Sequence, residues 1–328
     1  MVVKGEKKSR ELTQNISLNE TKIRRKRKNK YIPNLAEFYF KPDDDWTINE
    51  ANELFKSNKN EICEKIFYED CIKGMDKLSN ELVDLVIADP PFGLSFSGKE
   101  AIYNRDPSFV EQGYGEIDAK DYDDFTLKWI SKLPRIMKET ASAFIFSGWT
   151  NLLSVLEAIK NANLIIKNHL IWNYNFAVFT KKKFSSSHYH LLYVVKNEKK
   201  AYFNRINHYE TDVWDIKRKY KPNQNKNGTK LPTELVRKCI NYVTTPGDLV
   251  FDPFFGNGTS GVAAKGEFRH YLGFEINYNM KKIIDSNLFE VKTGEYYKSY
   301  QERLPTIDEL AKIYPKAYKE YLKREKIN

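Results

Sequence analysis

Apolar positions along this chain fall in short blocks, each ending on an acid or a turn-forming residue. Val83-Asp84-Leu85-Val86-Ile87 runs into Ala88-Asp89-Pro90-Pro91-Phe92. Asp248-Leu249-Val250-Phe251 runs into Asp252-Pro253-Phe254-Phe255-Gly256-Asn257-Gly258-Thr259-Ser260-Gly261. Blocks of this length bounded by Gly and Pro read as strands that close in turns. Further strand-like runs are Ser142 to Ser147, Leu170 to Asn173, His188 to Lys196 and His270 to Glu275, and Glu64 to Cys71 reads as a strand ending in an acid. Helical spacing is clearest from Asn151 to Ile159, with Leu152, Val155, Leu156 and Ile159 on one face. Thr47-Ile48-Asn49-Glu50 has the spacing of a capping box and predicts a helix through Phe55. Other helices are predicted from Tyr122 to Lys138, interrupted or kinked at Pro134, from about Asn257, and through Met280, Ile283 and Leu288.

Two polar stretches interrupt this pattern. Residues 93–121 are rich in Gly, Ser and Asp and exceed an ordinary connection, and loops of that length in a compact domain are usually functional or disordered. Residues 197–228 interleave Tyr202, Phe203, Tyr209, Trp214 and Tyr220 with Lys199, Lys200, Arg205, Lys217, Arg218, Lys219 and Lys221, and no acid occurs from Lys217 to Lys230. Such lysines suit phosphate contacts that position nucleic acid. A solvated loop with core-facing aromatics is the competing reading. Beyond residue 290 a charged segment carries Leu304, Ile307, Leu310 and Ile313, with Thr306-Ile307-Asp308-Glu309 as a further helix start.

Charge sharpens the picture at the N-terminus. Residues 1–30 hold eleven Lys or Arg against three acids, so they carry +8 of the net +10 of all 328 residues. With no continuous apolar run, this segment reads as a disordered arm able to neutralise phosphates. No apolar h-region follows its charges, and no stretch of about twenty apolar residues predicts a membrane span. Three widely spaced cysteines, Cys63, Cys71 and Cys239, suggest neither a disulfide framework nor a zinc cluster and fit a reducing cytoplasm. His188 and His190 would share one face of a strand, and no metal is assigned to them.

The turn at Asp89 carries the most specific chemistry. Two prolines fix φ and remove two backbone donors, so the turn exposes carbonyls free of competing N–H groups. The Asp89 carboxylate and the Pro90 carbonyl could accept both hydrogens of an exocyclic amine, while Phe92 offers a face for a flat base. An ordinary Pro-rich turn is the bland alternative. Gly256, Gly258 and Gly261 satisfy G-x-G-x-x-G after a strand, and Glu275 ends the next strand-like run where an acid suits ribose hydroxyls. Locally, Asp70 and Cys71 read as a strand-to-helix turn capped by Asp70.

Together these motifs resemble the S-adenosylmethionine-dependent amino-methyltransferases. Their order, amine turn first and glycine turn second, resembles the β class of DNA adenine-N6 methyltransferases. The resemblance spans about Lys65 to Leu288. It implies an α/β, Rossmann-like sheet, mostly parallel with one antiparallel strand and flanked by helices, in permuted motif order. It also implies a catalytic domain, over residues 31–290 after the arm, with residues 197–228 reading the target; the loop 93–121, directly after the Asp89 turn, is placed to close over a flipped base, and a helical extension over 291–328 lies outside the resemblance. Asp89, Pro90, Pro91 and Phe92 would be catalytic. Asp70, Cys71, Asp89, Thr229, Lys230, Asp252, Phe254, Gly256, Asn257, Gly258, Thr259 and Glu275 would hold S-adenosylmethionine. Here Leu231 stands where the family usually has lysine, which leaves Thr229 and Lys230 as the nearest candidates for the cofactor carboxylate. Lys181, His188, Lys199, Arg205, Lys217, Arg218, Lys219 and Tyr220 would meet DNA. Implied partners are double-stranded DNA, with a second copy of the chain and a cognate restriction endonuclease as candidates. Cytosine N4 is the nearest rival target, where the family usually places serine at Asp89; RNA adenine, a silent subunit of a heterodimeric methylase and a nicotinamide dehydrogenase remain as alternatives.

Overall fold

A computed structural model describes residues 42–91, 117–174, 181–182, 184–207, 210–218, 230–303, 311–312 and 315–324. The basic arm, most of the loop after Phe92 and the helix start at Thr306 lie outside the described residues. Asp44–Arg205 together with Glu210–Ser299 form one compact unit; the described residues of the second unit include the helices Tyr300–Arg303 and Pro315–Arg324. Among the described residues, the larger unit holds every strand. No helix among the described residues is long and apolar enough to cross a membrane.

Eight strands form one sheet: β1 (Lys65–Phe67), β2 (Val83–Ala88), β3 (Met137–Ser147), β4 (Ile165–Asn173), β5 (His188–Val195), β6 (Val213–Asp215), β7 (Leu249–Asp252) and β8 (His270–Phe274). Their order across the sheet is β1-β8-β7-β2-β3-β5-β4-β6. Every pairing is parallel except the two made by β5, which runs against both β3 and β4. The expected mostly parallel sheet with one antiparallel strand is therefore present. The late strands β7 and β8 insert between the early strands β1 and β2, so a turn near residue 256 ends beside a turn near residue 89.

Local chemistry explains most elements. Helix α1 (Ile48–Ser57) opens on the full capping box, with Thr47 Oγ1 accepting from Glu50 N and the Glu50 carboxylate accepting from Thr47 N. All six residues of β2 are buried, as expected where helices cover both faces of a parallel strand. Its one acid, Asp84, accepts from Lys138 Nζ at 2.8 Å and from Leu249 N at 3.0 Å, which satisfies the carboxylate and ties β2 to β3 and β7. Val86, Ala88, Ala143 and Ile145 pack with Trp129 and Ile130 of α3 (Tyr122–Ile130) and Val155 and Ile159 of α5 (Leu152–Asn161).

The helix expected through Lys138 is shorter. It ends at Ile130; Pro134 lies in the first turn of a separate helix, α4 (Leu133–Ile136), where its missing N–H costs no bond. Met137 already pairs with Val83 as the start of β3. Among the described residues of this unit the remaining α-helices are α2 (Cys71–Met75), α6 (Thr233–Val243), α7 (Thr259–Gly266) and α8 (Lys281–Glu290).

Candidate active site

Four neighbouring parallel strands, β1, β8, β7 and β2, present an acid at or just past the same end: Asp70, Glu275, Asp252 and Asp89. Strand spacing of about 4.8 Å puts the ends of β2 and β8 about 10 Å apart. The carboxyl-terminal edge of such a sheet is where α/β folds bind their ligands.

The glycine turn is built for close approach. Gly258 adopts the left-handed conformation (φ +76°) at the N-terminus of α7, and Gly256 does so at φ +51°. An added side-chain carbon at Gly256 would meet nothing closer than 3.7 Å, so the space above it is open. Asp252 ties the turn from below, accepting from Phe254 N at 2.8 Å and Ser260 Oγ at 2.5 Å. Glu275 ties it from the next strand, accepting from Gly256 N at 2.8 Å and Asn277 N at 2.7 Å. An uncapped helix start, an open glycine cradle and a neighbouring carboxylate fit a nucleoside-bearing cofactor.

The other expected cofactor residues divide. Asn257 and Thr259 lie in the same turn, where the Asn257 carbonyl accepts from Asn287 Nδ2 at 2.9 Å and Thr259 is buried. Asp70 caps α2, accepting from Lys73 N at 3.0 Å, so the strand-to-helix reading describes its side chain. Cys71 begins that helix, and burial pushes its thiol up to about 12, so it stays neutral. Phe254 turns its ring to Phe125 and, edge to face at 5.2 Å, to Trp129, which makes it part of the α3 interface. Lys230 is exposed. Thr229 and Phe92 lie outside the described residues.

Asp89 and Pro90 follow the last residue of β2, and Pro90 is buried. Asp89 retains some exposed surface, yet its carboxyl is deep enough that desolvation pushes it up to about 7, opposed by the charge of Arg218 and reinforced by that of Asp252. Asp252 is itself pushed up to about 7 by burial. Burial raises the hydroxyl of Tyr122, at the start of α3, and the charge of Asp89 adds a smaller contribution.

Of the expected DNA residues, Lys181, His188, Lys199, Arg205 and Lys217 are exposed, whereas Arg218 is half-buried. Lys219 and Tyr220 lie outside the described residues. His188 and His190 do share a face, and His190 Nδ1 meets His169 Nε2 at 2.7 Å. Desolvation and the two neighbouring imidazoles hold His190 down to about 4, so it is neutral at physiological pH. Trp214, in the segment read as base-contacting, is buried with Lys238 Nζ 4.3 Å from its ring centroid, so the core-facing alternative describes it.

Residues 83–286 match the model of the N6/N4 DNA methylases. The chain is 30% identical over 258 residues to the type II methyltransferase M.HinfI of Haemophilus influenzae, covering 73% of this chain and 72% of that protein. Among solved structures it resembles the M1.HpyAVI complex with SAM (TM-score 0.53, 21% identity, 68% of this chain and 98% of that one). It resembles equally the PvuII DNA methyltransferase, described as cytosine-N4-specific (TM-score 0.53, 16% identity, 69% and 92%). At those identities the two structures speak for the fold. With the family match covering well over half of the chain, and with the amine turn and the glycine turn side by side on one sheet edge, this chain belongs to the DNA methylase family.

Proposed function

We propose that this DNA methyltransferase transfers a methyl group to N6 of an adenine flipped out of double-stranded DNA, at the Asp89 turn. The observation that carries the reading is the placement of Asp89 one strand away from the glycine turn. S-adenosylmethionine, held by Glu275 and the backbone of Gly256 to Thr259, supplies an electrophilic methyl on a sulfonium.

The residues of this chain answer the rest of the problem. Adenine N6 is a poor nucleophile because its lone pair is delocalised into the ring. Asp89 and the Pro90 carbonyl accept its two N–H bonds, which draws the nitrogen toward tetrahedral geometry and stabilises the positive charge that grows there. Holding the partners in line supplies much of the remaining acceleration. Extruding the base costs a few kcal/mol, offset in part by stacking on Phe92. Lys217, Lys199 and Arg205, with the basic arm over residues 1–30, contact phosphates and position the duplex.

A carboxylate at position 89 favours adenine over cytosine N4, which the fold alone does not separate. We place the protein in the cytoplasm, as the modifying half of a restriction system or as a solitary methylase, with a second copy and a cognate endonuclease as candidate partners. Single-molecule sequencing of DNA from expressing cells tests the reading. N6-methyladenine confined to one short motif is expected; N4-methylcytosine, or no DNA mark with a mark in RNA, would overturn the choice of target.

A further inference from the structure

An indole stands almost bare at the carboxyl-terminal edge of the sheet. Trp149 keeps 76% of its surface exposed, whereas Trp129, Trp172 and Trp214 are buried. A side chain of that size ordinarily stabilises a fold by being covered. Leu153, one helical turn further on, is 67% exposed and extends the bare surface. The backbone of Trp149 is nevertheless fixed. It opens the 3₁₀ turn Trp149–Asn151 between β3 and α5, where Asn151 N donates to the Gly148 carbonyl at 3.3 Å and Leu152 N donates to the Trp149 carbonyl. Asn151 is buried and accepts from Thr150 Oγ1. The indole lies beside His190, with 6.2 Å between ring centroids, and His190 Nδ1 is held by His169 Nε2 at 2.7 Å. An exposed ring on a rigid turn loses little freedom when a flat ligand covers it.

Strand register ties this ring to the Asp89 turn. β2 and β3 run parallel with Ala88 opposite Ile145, and two residues on the same register sets Pro90 abreast of Ser147, the last residue of β3. Trp149 follows Ser147 by two residues, so its Cα lies within about 12 Å of that of Pro90. That span is about three to four base steps of a DNA strand. From Glu139 to Ile159 the chain has no Lys or Arg, so this surface does not suit a phosphate. A bare indole suits the face of a base.

We propose that Trp149 stacks on a base beside the flipped adenine and so positions the DNA strand over the Asp89 turn. The inference rests on the reading of that turn as the place that receives the flipped base. Because Trp129, Trp172 and Trp214 are buried, quenching of tryptophan emission by DNA reports mainly on Trp149.

The test titrates unmethylated plasmid DNA, at low and at high salt, into the native chain, Trp149→Ala, Trp149→Phe and Asp89→Ala. It reads tryptophan emission and the single-turnover rate of methyl transfer at saturating S-adenosylmethionine. DNA is expected to quench the emission of the native chain and of Asp89→Ala, and that of Trp149→Phe far less. Trp149→Ala should need about fivefold to a hundredfold more DNA for half-maximal transfer, the scale of one lost stacking contact, with cofactor affinity, melting temperature and salt dependence near native. Trp149→Phe keeps a ring and should recover most of that loss. Equal quenching in Trp149→Phe and the native chain, or native half-saturation in Trp149→Ala, would overturn the proposal. So would a loss that phenylalanine does not restore, or one with a shallower salt dependence, which marks a phosphate contact. Native transfer by Asp89→Ala would overturn the underlying reading of Asp89; an inactive Asp89→Ala without quenching that depends on Trp149 would overturn this inference alone.

Discussion

The two halves of the sheet organise their chemistry differently. In the parallel half, β1-β8-β7-β2, Asp70, Asp252 and Glu275 sit at or just past the ends of their strands and are held by neighbours close in sequence or one strand away, as Asp252 is by Phe254 and Ser260. In the half around the antiparallel β5, polar clusters form across strands: His169 with His190, and Arg218 with Trp172, Tyr174 and Tyr189. The first arrangement makes a rigid cradle from turns. The second joins side chains that are far apart in the chain, the neutral His190 with His169 and the Arg218 guanidinium with three rings.

That contrast can be broken from either side. The largest effect short of removing Asp89 is expected at the cradle: Glu275→Ala loses hydrogen bonds from a charged group, about 1.5–3 kcal/mol. It should therefore weaken S-adenosylmethionine roughly tenfold to a hundredfold in a binding titration, with the transfer rate at saturation far less affected. Gly258→Ala forces a side chain into the left-handed region, at a cost of about 1–2 kcal/mol. A lowered melting temperature checks it, and no comparable loss is expected at an exposed position of β4.

Burial of the carboxyls gives a pH signature. Asp89 and Asp252 both rise to about 7 in the folded chain from ordinary values near 4. The folded state thus binds more protons than the unfolded one between those values, and stability present at low pH is lost as pH rises through about 7, by up to about 1.4 kcal/mol per pH unit for each group. Melting of the cofactor-free protein from pH 5 to 8 should show this fall, with a shallower slope in Asp89→Asn. The smallest effect is expected at Lys217→Ala, which should weaken DNA uniformly across sequences and reduce the salt slope by about 1.

The same contrast explains what the sequence made legible. Asp89, Asp252, Gly258 and Glu275 stood out because glycine, proline and acids at strand ends have local conformational consequences. The capping box at Thr47 was readable for that reason too. The helix drawn through Lys138 overran because its spacing continued past a point where Met137 gains more by pairing with β2. Strand β6 went unseen inside a basic segment, since only its partner β4, forty residues earlier, reveals it. Arg218 was grouped with its charged neighbours for the same reason, and Phe254 with the cofactor turn, because sequence does not say which way a ring points.

The most direct test of the account is Asp89→Ala measured twice in one preparation, for cofactor affinity and for single-turnover transfer of the methyl group to duplex DNA. Affinity within a few-fold of native is expected, with transfer reduced by at least about a hundredfold, the scale of losing a charge-stabilising acceptor. Transfer within tenfold of native would contradict it.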